Sequence, residues 1–413
     1  MTEIILVRHA ESEANLAGAW QGRGDAALSD TGRDQIESLA ARATAWPDPD
    51  LVLSSPLSRA VETARAFGAP EIDPGLIEID LGRWEDVSFD VVASTDMERL
   101  RAIYGGSDDP FGDTGERMSE VTARAGAVVD AAARRVGPAG RAILVTHGGV
   151  IDSLLAGLLP TVTRRPHRMA SNTSLTHLVG SPGDWRLARL NDSGHLGTLP
   201  VYAAHHLAKG EPVLALIRHG RTRANLDGRF QGQSCWGLDE VGEAQANRLA
   251  EWYGPLDTVY SSPLSRAVDT ASRLNPNPVL TDGLMEIAFG EWEGLGREEI
   301  EATWADLARR IYVDGEDLAR GRTGETWREA TERVSATIDS LDTPAGEVSG
   351  VVFHGGVLRA YVGTVGGDAS STRSRLATPE NTSVTHVALT EAGPILCDYA
   401  VAPHLDDLAV PVQ

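Results

Sequence analysis

The sequence predicts two consecutive three-layer α/β/α domains, each with a mostly parallel central sheet. Three observations carry that prediction. Apolar runs of strand length alternate with stretches of helical periodicity. Two of the apolar runs end abruptly in an arginine and a histidine, at Arg8-His9 and at Arg218-His219. The octapeptide Ser54–Val61 (SSPLSRAV) returns unchanged as Ser261–Val268.

The elements follow in order. Residues 3–8 read as a buried strand, because Ile4 to Val7 has no polar break. Residues 31–45 read as a helix capped by Asp30 or Thr31. Residues 50–54 read as a short strand, and a helix is expected from near Pro56, since proline suits a first turn. Ile72 to Ile79 reads as strand and loop. Residues 88–104 and 116–135 carry helical spacing. Arg141 to Thr146 is a second buried strand, which Gly148-Gly149 turns into a helix near Val150. Residues 174–179 and 185–190 read as edge strands. The pattern then repeats after roughly 208 residues, too long a period for a solenoid and right for a duplicated domain. The expected boundaries are 1–199 and 212–402 for the two copies, 200–211 for a linker holding His205 and His206, and 403–413 for a tail.

Bulk properties narrow the function. The chain of 413 residues is long enough for two or three cores. Its formal net charge of −22 argues against nucleic acid or an anionic membrane surface as partner. Any site for an anion must therefore gather positive charge locally. The two cysteines, Cys235 and Cys397, make neither a disulfide framework nor a metal cluster. Cys235 is expected to be a buried or half-buried thiol. No metal or cofactor is expected. The first residues lack the basic region and long apolar core of a secretory signal, so a cytoplasmic protein is expected. Nothing in the sequence fixes an oligomeric state.

Few polar residues are copied between the halves. They are Arg8, His9, Asn15, Gln21, Arg59, Glu78 and His147, matched by Arg218, His219, Asn225, Gln231, Arg266, Glu286 and His354. Arg8, His9, Arg59 and His147 each follow a predicted strand, and parallel strands bring such ends to one edge, where ligands bind. Two arginines, two histidines and a carboxylate around one point suit phosphoryl chemistry. Guanidinium groups match phosphate oxygens and keep their charge. A neutral imidazole can attack phosphorus. A carboxylic acid can protonate the leaving oxygen and later take a proton from water. The helix after Gly148-Gly149 is expected to add backbone donors at the anion.

The segments LVRHAES and LIRHGRT, SSPLSRA, GLIE and GLME, and THGG and FHGG resemble the histidine phosphatase superfamily, the phosphoglycerate mutase-like proteins. The resemblance covers nearly the whole chain as two copies. It implies that His9 and His219 are phosphorylated nucleophiles. Arg8, Arg59 and His147, and Arg218, Arg266 and His354, would bind the phosphoryl group. Glu78 and Glu286 would be proton donors, with Asn15 and Asn225 in the phosphate pocket. Gln21 and Gln231 are candidate substrate contacts. It also implies that no metal is needed. The family's mutases carry an arginine-rich insertion after the glutamate that residues 86–115 and 294–323 do not resemble. Hydrolysis of a small-molecule phosphate monoester is therefore expected. A mutase-type transfer, a phosphoprotein phosphatase and a phosphate-sensing regulatory protein are the alternatives. Arg101 and Arg309 are possible further contacts. Glu85 and Glu293 also recur, and are expected to serve helix entry. Ala10-Glu11 faces Gly220-Arg221 across the duplication, Asp25 faces Cys235, and Ser29 faces Asp239. The two sites are thus expected to prefer different esters, or one of them to be much slower.

Overall fold

In a computed structural model, residues 1–159, 170–367 and 373–407 are described. The chain divides into two compact units. The first takes Met1–Pro200 with Ser374–Ala377, and the second takes Val201–Arg373 and the chain from Thr378.

The first unit runs β1 (Thr2–Arg8), α1 (Glu13–Leu16), α2 (Asp30–Ala43), β2 (Leu51–Ser54), α3 (Ser58–Ala64), β3 (Glu71–Ile72), α4 (Phe89–Tyr104), α5 (Met118–Val136), β4 (Arg141–Thr146), α6 (Gly148–Leu158), β5 (Leu175–Ser181) and β6 (Asp184–Asp192). Its sheet has the order β3-β2-β4-β1-β5-β6. The first four strands are parallel, and β5 and β6 turn back antiparallel. Strand side chains alternate between faces. Ile5, Val7, Ile143 and Val145 therefore meet Leu39 of α2 and Ala60 and Ala64 of α3 on one side. Ile4, Leu6, Ala142 and Leu144, all fully buried, point to the other face, where α5 and α6 pack.

The second unit repeats this after an added helix: α7 (Val201–Ala208), β7 (Val213–Arg218), α8 (Arg223–Leu226), α9 (Glu240–Tyr253), β8 (Thr258–Ser261), α10 (Ser265–Ala271), β9 (Val279–Leu280), α11 (Arg297–Tyr312), α12 (Trp327–Asp339), β10 (Val348–Phe353), α13 (Gly355–Val365), β11 (Val384–Thr390) and β12 (Gly393–Leu396). Its order, β12-β11-β7-β10-β8-β9, is the same sheet read from the other edge.

Several local expectations change. Ser29, not Asp30 or Thr31, caps α2, its side chain accepting the Gly32 amide. Helix α3 begins at Ser58, two residues beyond Pro56, because Leu57 stays extended. The stretch read as a linker contains α7, whose Ala203 is buried and which packs on β7 and β11. There His206 Nδ1 lies 2.6 Å from Glu211 Oε2. Of the expected tail, Pro403–Leu405 form a 3-10 turn with Leu405 buried, and residues 408–413 lie outside the described part.

The register puts chemistry at one edge. Arg8 pairs with Thr146 and Ser54 with Val145, so the chain leaves β1, β4 and β2 side by side. In the second unit Arg218 pairs with Phe353 and Ser261 with Val352.

Candidate active site

His9 follows β1 and His147 follows β4. Adjacency of the two strands brings the rings to 5.0 Å between centroids. His219 and His354 repeat the distance at 5.0 Å. All four rings are buried. His9 Nδ1 lies 2.7 Å from the carbonyl of Ala10, which assigns its proton to that nitrogen and leaves the lone pair on Nε2. His219 Nδ1 makes the same bond to Gly220 at 2.7 Å. Burial, then the neighbouring arginines, hold His9 and His219 well below the usual imidazole range, so both are neutral.

Arg59 and Arg266 come from the repeated octapeptide and are fully buried. Arg59 donates from Nη1 to Gly24 O (2.6 Å), from Nη2 to Gly22 O (3.0 Å) and from Nε to His9 Nε2 (3.3 Å). Arg266 holds Ser234 O and Gly232 O at 2.9 and 2.7 Å, and its Nε donates to His354 Nδ1 at 3.2 Å. Burial lowers both guanidinium groups to about 10, which still leaves them charged near neutrality.

Arg8 donates to Ala170 O at 2.6 Å, yet among the described residues its buried Nε has no hydrogen-bond partner, and neither has the buried Nε of Arg218. His147 Nδ1 is in the same condition. Orphaned buried polar atoms are costly, and here they cluster beside the histidine pair. An oxyanion between the rings would satisfy them. Ser55 and Ser262 orient the second histidine of each pair, with Oγ 2.7 Å from His147 Nε2 and 2.8 Å from His354 Nε2.

Glu78 is 6% exposed and accepts the Ile79 amide at 2.9 Å and the Gly149 amide at 3.2 Å. Burial raises its carboxyl above the usual range. Glu286 accepts from Ile287, Gly356 and Val357 at 2.9, 3.0 and 3.1 Å. The first-turn amides of Gly149, Gly356 and Val357 thus serve the glutamate and not, as expected, the anion. Glycine is required at that turn: a Cβ at Gly149 or Gly356 would lie 2.8 or 2.5 Å from the glutamate Oε1.

Other candidates are placed in the supporting loops. Asn15 Oδ1 accepts from Ser12 N and Asn172 Nδ2 at 3.2 and 3.3 Å, leaving its amide nitrogen for a ligand. Asn225 Oδ1 accepts from Thr222 N and Asn381 Nδ2 at 3.1 and 3.4 Å. Gln21 is engaged at both ends, by Ser12 Oγ (2.9 Å) and Gly24 O (3.1 Å). Gln231 Oε1 accepts from Thr222 Oγ1 at 2.9 Å. Both glutamines support the loop that Arg59 or Arg266 clasps. Glu85 and Glu293 are structural, but not at a helix entry. Glu85 accepts the amides of Gly22, Arg23 and Leu81, and Glu293 those of Gln233 and Phe289. Arg101 is exposed, and Arg309 is exposed and pairs with Asp306 at 3.3 Å and with Asp314. Cys235 is exposed, contrary to expectation, with Sγ 3.6 Å from Ser265 Oγ. A loop position at Asp25's place gives it no core to enter.

Sequence reasoning missed three supports. Arg124 donates to Gly75 O (2.8 Å), Ile77 O (2.6 Å) and Glu78 O (3.2 Å) while paired with Glu116 at 2.9 Å. Arg333 and Glu325 do the same around Glu286. Asn172 and Asn381 hold the carbonyls of His9 and His219 at 2.9 and 2.8 Å. The next residues, Thr173 and Thr382, sit at φ of 58° and 62°, a strained backbone kept in both copies. Ser55, Asn172 and Glu116 lay within copied segments, so the repetition itself was the available signal.

Residues 4–193 and 214–401 match the family model described as Histidine phosphatase superfamily (branch 1). A bifunctional protein of Mycobacterium tuberculosis is 37% identical over 142 residues, 32% of this chain and 38% of that protein. The metal-independent phosphoserine phosphatase of Arabidopsis thaliana is 35% identical over 159 residues, 36% of this chain and 66% of that protein. The chain thus spans less than two thirds of the length of these two relatives. A probable phosphoglycerate mutase of Enterobacter is 30% identical over 207 residues, 48% of this chain and 95% of that protein. Among solved structures, a phosphoserine phosphatase mutant of Entamoeba histolytica in complex with phosphoserine is similar at 27% identity and a TM-score of 0.43, over 48% of this chain and all of the other.

Proposed function

Because the chain belongs to the histidine phosphatase superfamily, we propose that it is a metal-independent phosphatase of small phosphate monoesters with two active sites, each working through a phosphohistidine. The observation that carries this is the 5.0 Å approach of two neutral, buried imidazoles beside orphaned cationic donors, made twice.

In the first unit, His9 Nε2 attacks phosphorus and the P–O ester bond breaks. Glu78, whose carboxyl burial holds above the ordinary carboxylate range, gives its proton to the departing oxygen. Arg8, Arg59 and His147 Nδ1 stabilise the charge spread over the transferring oxygens. The Nδ1–H bond to Ala10 stabilises the N-phosphorylated ring. Water then attacks phosphorus, its proton passes to the Glu78 carboxylate, and the P–N bond breaks to free phosphate and restore His9. His219, Arg218, Arg266, His354 and Glu286 take the same parts in the second unit. The fixed cations belong to the chain itself, which supports a route that needs no metal, like that of the Arabidopsis relative named for its metal independence. The net charge of −22 supports a small ester over nucleic acid, and no helix among the described residues is long and apolar enough to cross a membrane. A cytoplasmic setting remains part of the proposal.

Similarity to the Enterobacter mutase favours one second reading, transfer of the phosphoryl group to an alcohol. Turnover of propyl phosphate and p-nitrophenyl phosphate with a chelator present, the latter with and without added 1-propanol, separates the two. Equal release of alcohol and inorganic phosphate is expected. Phosphoryl transfer to the added alcohol in excess of phosphate release would make the protein a transferase. No cleavage of any ester would make it a binding protein.

A further inference from the structure

Two histidines outside the facing pairs of the active sites also answer to each other across the duplication. His195 follows β6, and His404 lies in the 3-10 turn Pro403–Leu405. His195 Nε2 is 2.9 Å from Thr173 Oγ1, and His404 Nε2 is 3.0 Å from Thr382 Oγ1. Each histidine stands 22 residues after its threonine. Each threonine hydroxyl gives its proton to the carbonyl before it, Asn172 O or Asn381 O, at 2.7 Å. A hydroxyl has one proton to give, so it accepts from the imidazole, which assigns the histidine proton to Nε2.

These threonines are the strained residues beside the nucleophiles, at φ of 58° and 62°. Left-handed backbone is an outlier for a β-branched side chain, and glycine or asparagine adopts it more readily. Threonine nevertheless stands there in both units, fully buried. What its side chain adds is the hydroxyl that ties the loop to the histidine. That loop grips the end of the first strand of each unit. Thr173 N donates to Arg8 O at 3.0 Å and to His9 O at 3.4 Å, and Asn172 Nδ2 donates to His9 O at 2.9 Å. Thr382 N donates to Arg218 O at 2.9 Å and to His219 O at 3.4 Å, and Asn381 Nδ2 donates to His219 O at 2.8 Å. The peptide groups that aim the arginine and the histidine are therefore held by a loop whose strained residue the second histidine latches.

The surroundings of the two latches differ. His195 follows Gly194, whose amide donates to Asp192 at 3.0 Å, and Asp192 is held by Arg42 in a buried pair at 2.8 Å. Aligning α2 on α9 puts Trp252 in the place of Arg42. The Trp252 ring stacks on His404, with centroids 5.1 Å apart and planes at 15°. The packing changes and the bond to threonine stays.

We propose that His195 and His404 are positioning residues. Each acts through its threonine to fix the backbone of His9 or His219, so that Nε2 points at the phosphorus of the bound ester. This rests on the phosphatase reading above.

The test uses the full chain with His219→Ala, so that the first site alone turns over p-nitrophenyl phosphate. kcat/KM reads the attack by His9. Competitive inhibition by inorganic phosphate reads anion binding, and inhibition by vanadate, which bonds to the attacking nitrogen, reads its aim. His195→Ala should lower kcat/KM about 20-fold or more and weaken vanadate to a similar degree, while phosphate inhibition changes less than about 3-fold. His195→Gln, whose amide nitrogen can donate in place of Nε2, should return kcat/KM to within about 3-fold of the His219→Ala chain. Should His195→Ala not fold, Thr173→Val removes the same bond at nearly the same shape and should give the same split. His404→Ala in the His9→Ala chain should behave alike. A lowered Tm with kcat/KM unchanged, equal weakening of phosphate and vanadate, or no recovery with His195→Gln overturns the positioning role. If the His219→Ala chain cleaves nothing, the phosphatase reading fails on its own. Calorimetric binding of vanadate against phosphate then decides the positioning role by the same split.

Discussion

At the scale of single residues, the account turns on protonation. Glu78 must hold a proton to release a poor leaving group, and burial keeps it protonated above the ordinary carboxyl range. With His219→Ala in place, Glu78→Gln should slow propyl phosphate by roughly 10³ but p-nitrophenyl phosphate, whose leaving group needs no proton, by less than about 10-fold. The propyl ester rate should fall as pH rises through the raised Glu78 pKa. His9 is held well below 6.5, so no loss of nucleophile is expected as pH falls through the ordinary histidine range. Equal losses on both esters would remove Glu78 from the acid role. The candidate site residues were legible because the chain writes them twice. Arg124 was not legible: its value lies in three carbonyls brought together only by folding. Gln21 was copied as faithfully as Arg8, and repetition does not separate a loop support from a ligand contact.

At the scale of elements, β1, β4 and β5 of the first unit bury a titratable layer. His177 on β5 lies 3.8 Å from Glu3 and is 7% exposed, and burial lowers it to about 4; His195, after β6, is lowered likewise to about 4. A histidine whose folded pKa is depressed gives its full stability above its unfolded value near 6.5. That stability drains away as pH falls toward the folded value. For His177 the loss between pH 6.5 and 4 is on the order of 3 kcal/mol. His177→Gln should flatten the fall of the first unit's Tm across this window, seen by calorimetry; an unchanged slope would show that His177 does not titrate there. Asp192, in a buried pair with Arg42 at 2.8 Å, is lowered too and adds its loss only below the ordinary carboxyl range. The long strands were plain in the sequence, since buried parallel strands read as unbroken apolar runs. Helix starts were less so. Ser29 and Ser88 cap α2 and α4 through single side-chain bonds, a choice that Asp30 or Thr31 could equally have offered.

At the scale of the whole molecule, duplication supplied an internal comparison, and it works only for what is shared. The pocket of paired histidines and arginines could be read because both copies keep it. The residues that differ between the units, such as Phe111 and Arg320 or Asp152 and Arg359, left no repeated pattern to notice. Two working sites, as proposed, also imply additive turnover. On p-nitrophenyl phosphate, the rates of the His9→Ala and His219→Ala chains should sum to that of the parent chain, and a clear departure would reveal coupling between the sites. The most direct measurement of all is quenched, radiolabelled phosphoenzyme from the parent and the two variants. Acid-labile, base-stable label is expected on His9 and on His219, one site lost with each substitution and both lost with the pair. Acid-stable label, or label that survives the double substitution, would contradict the phosphohistidine route.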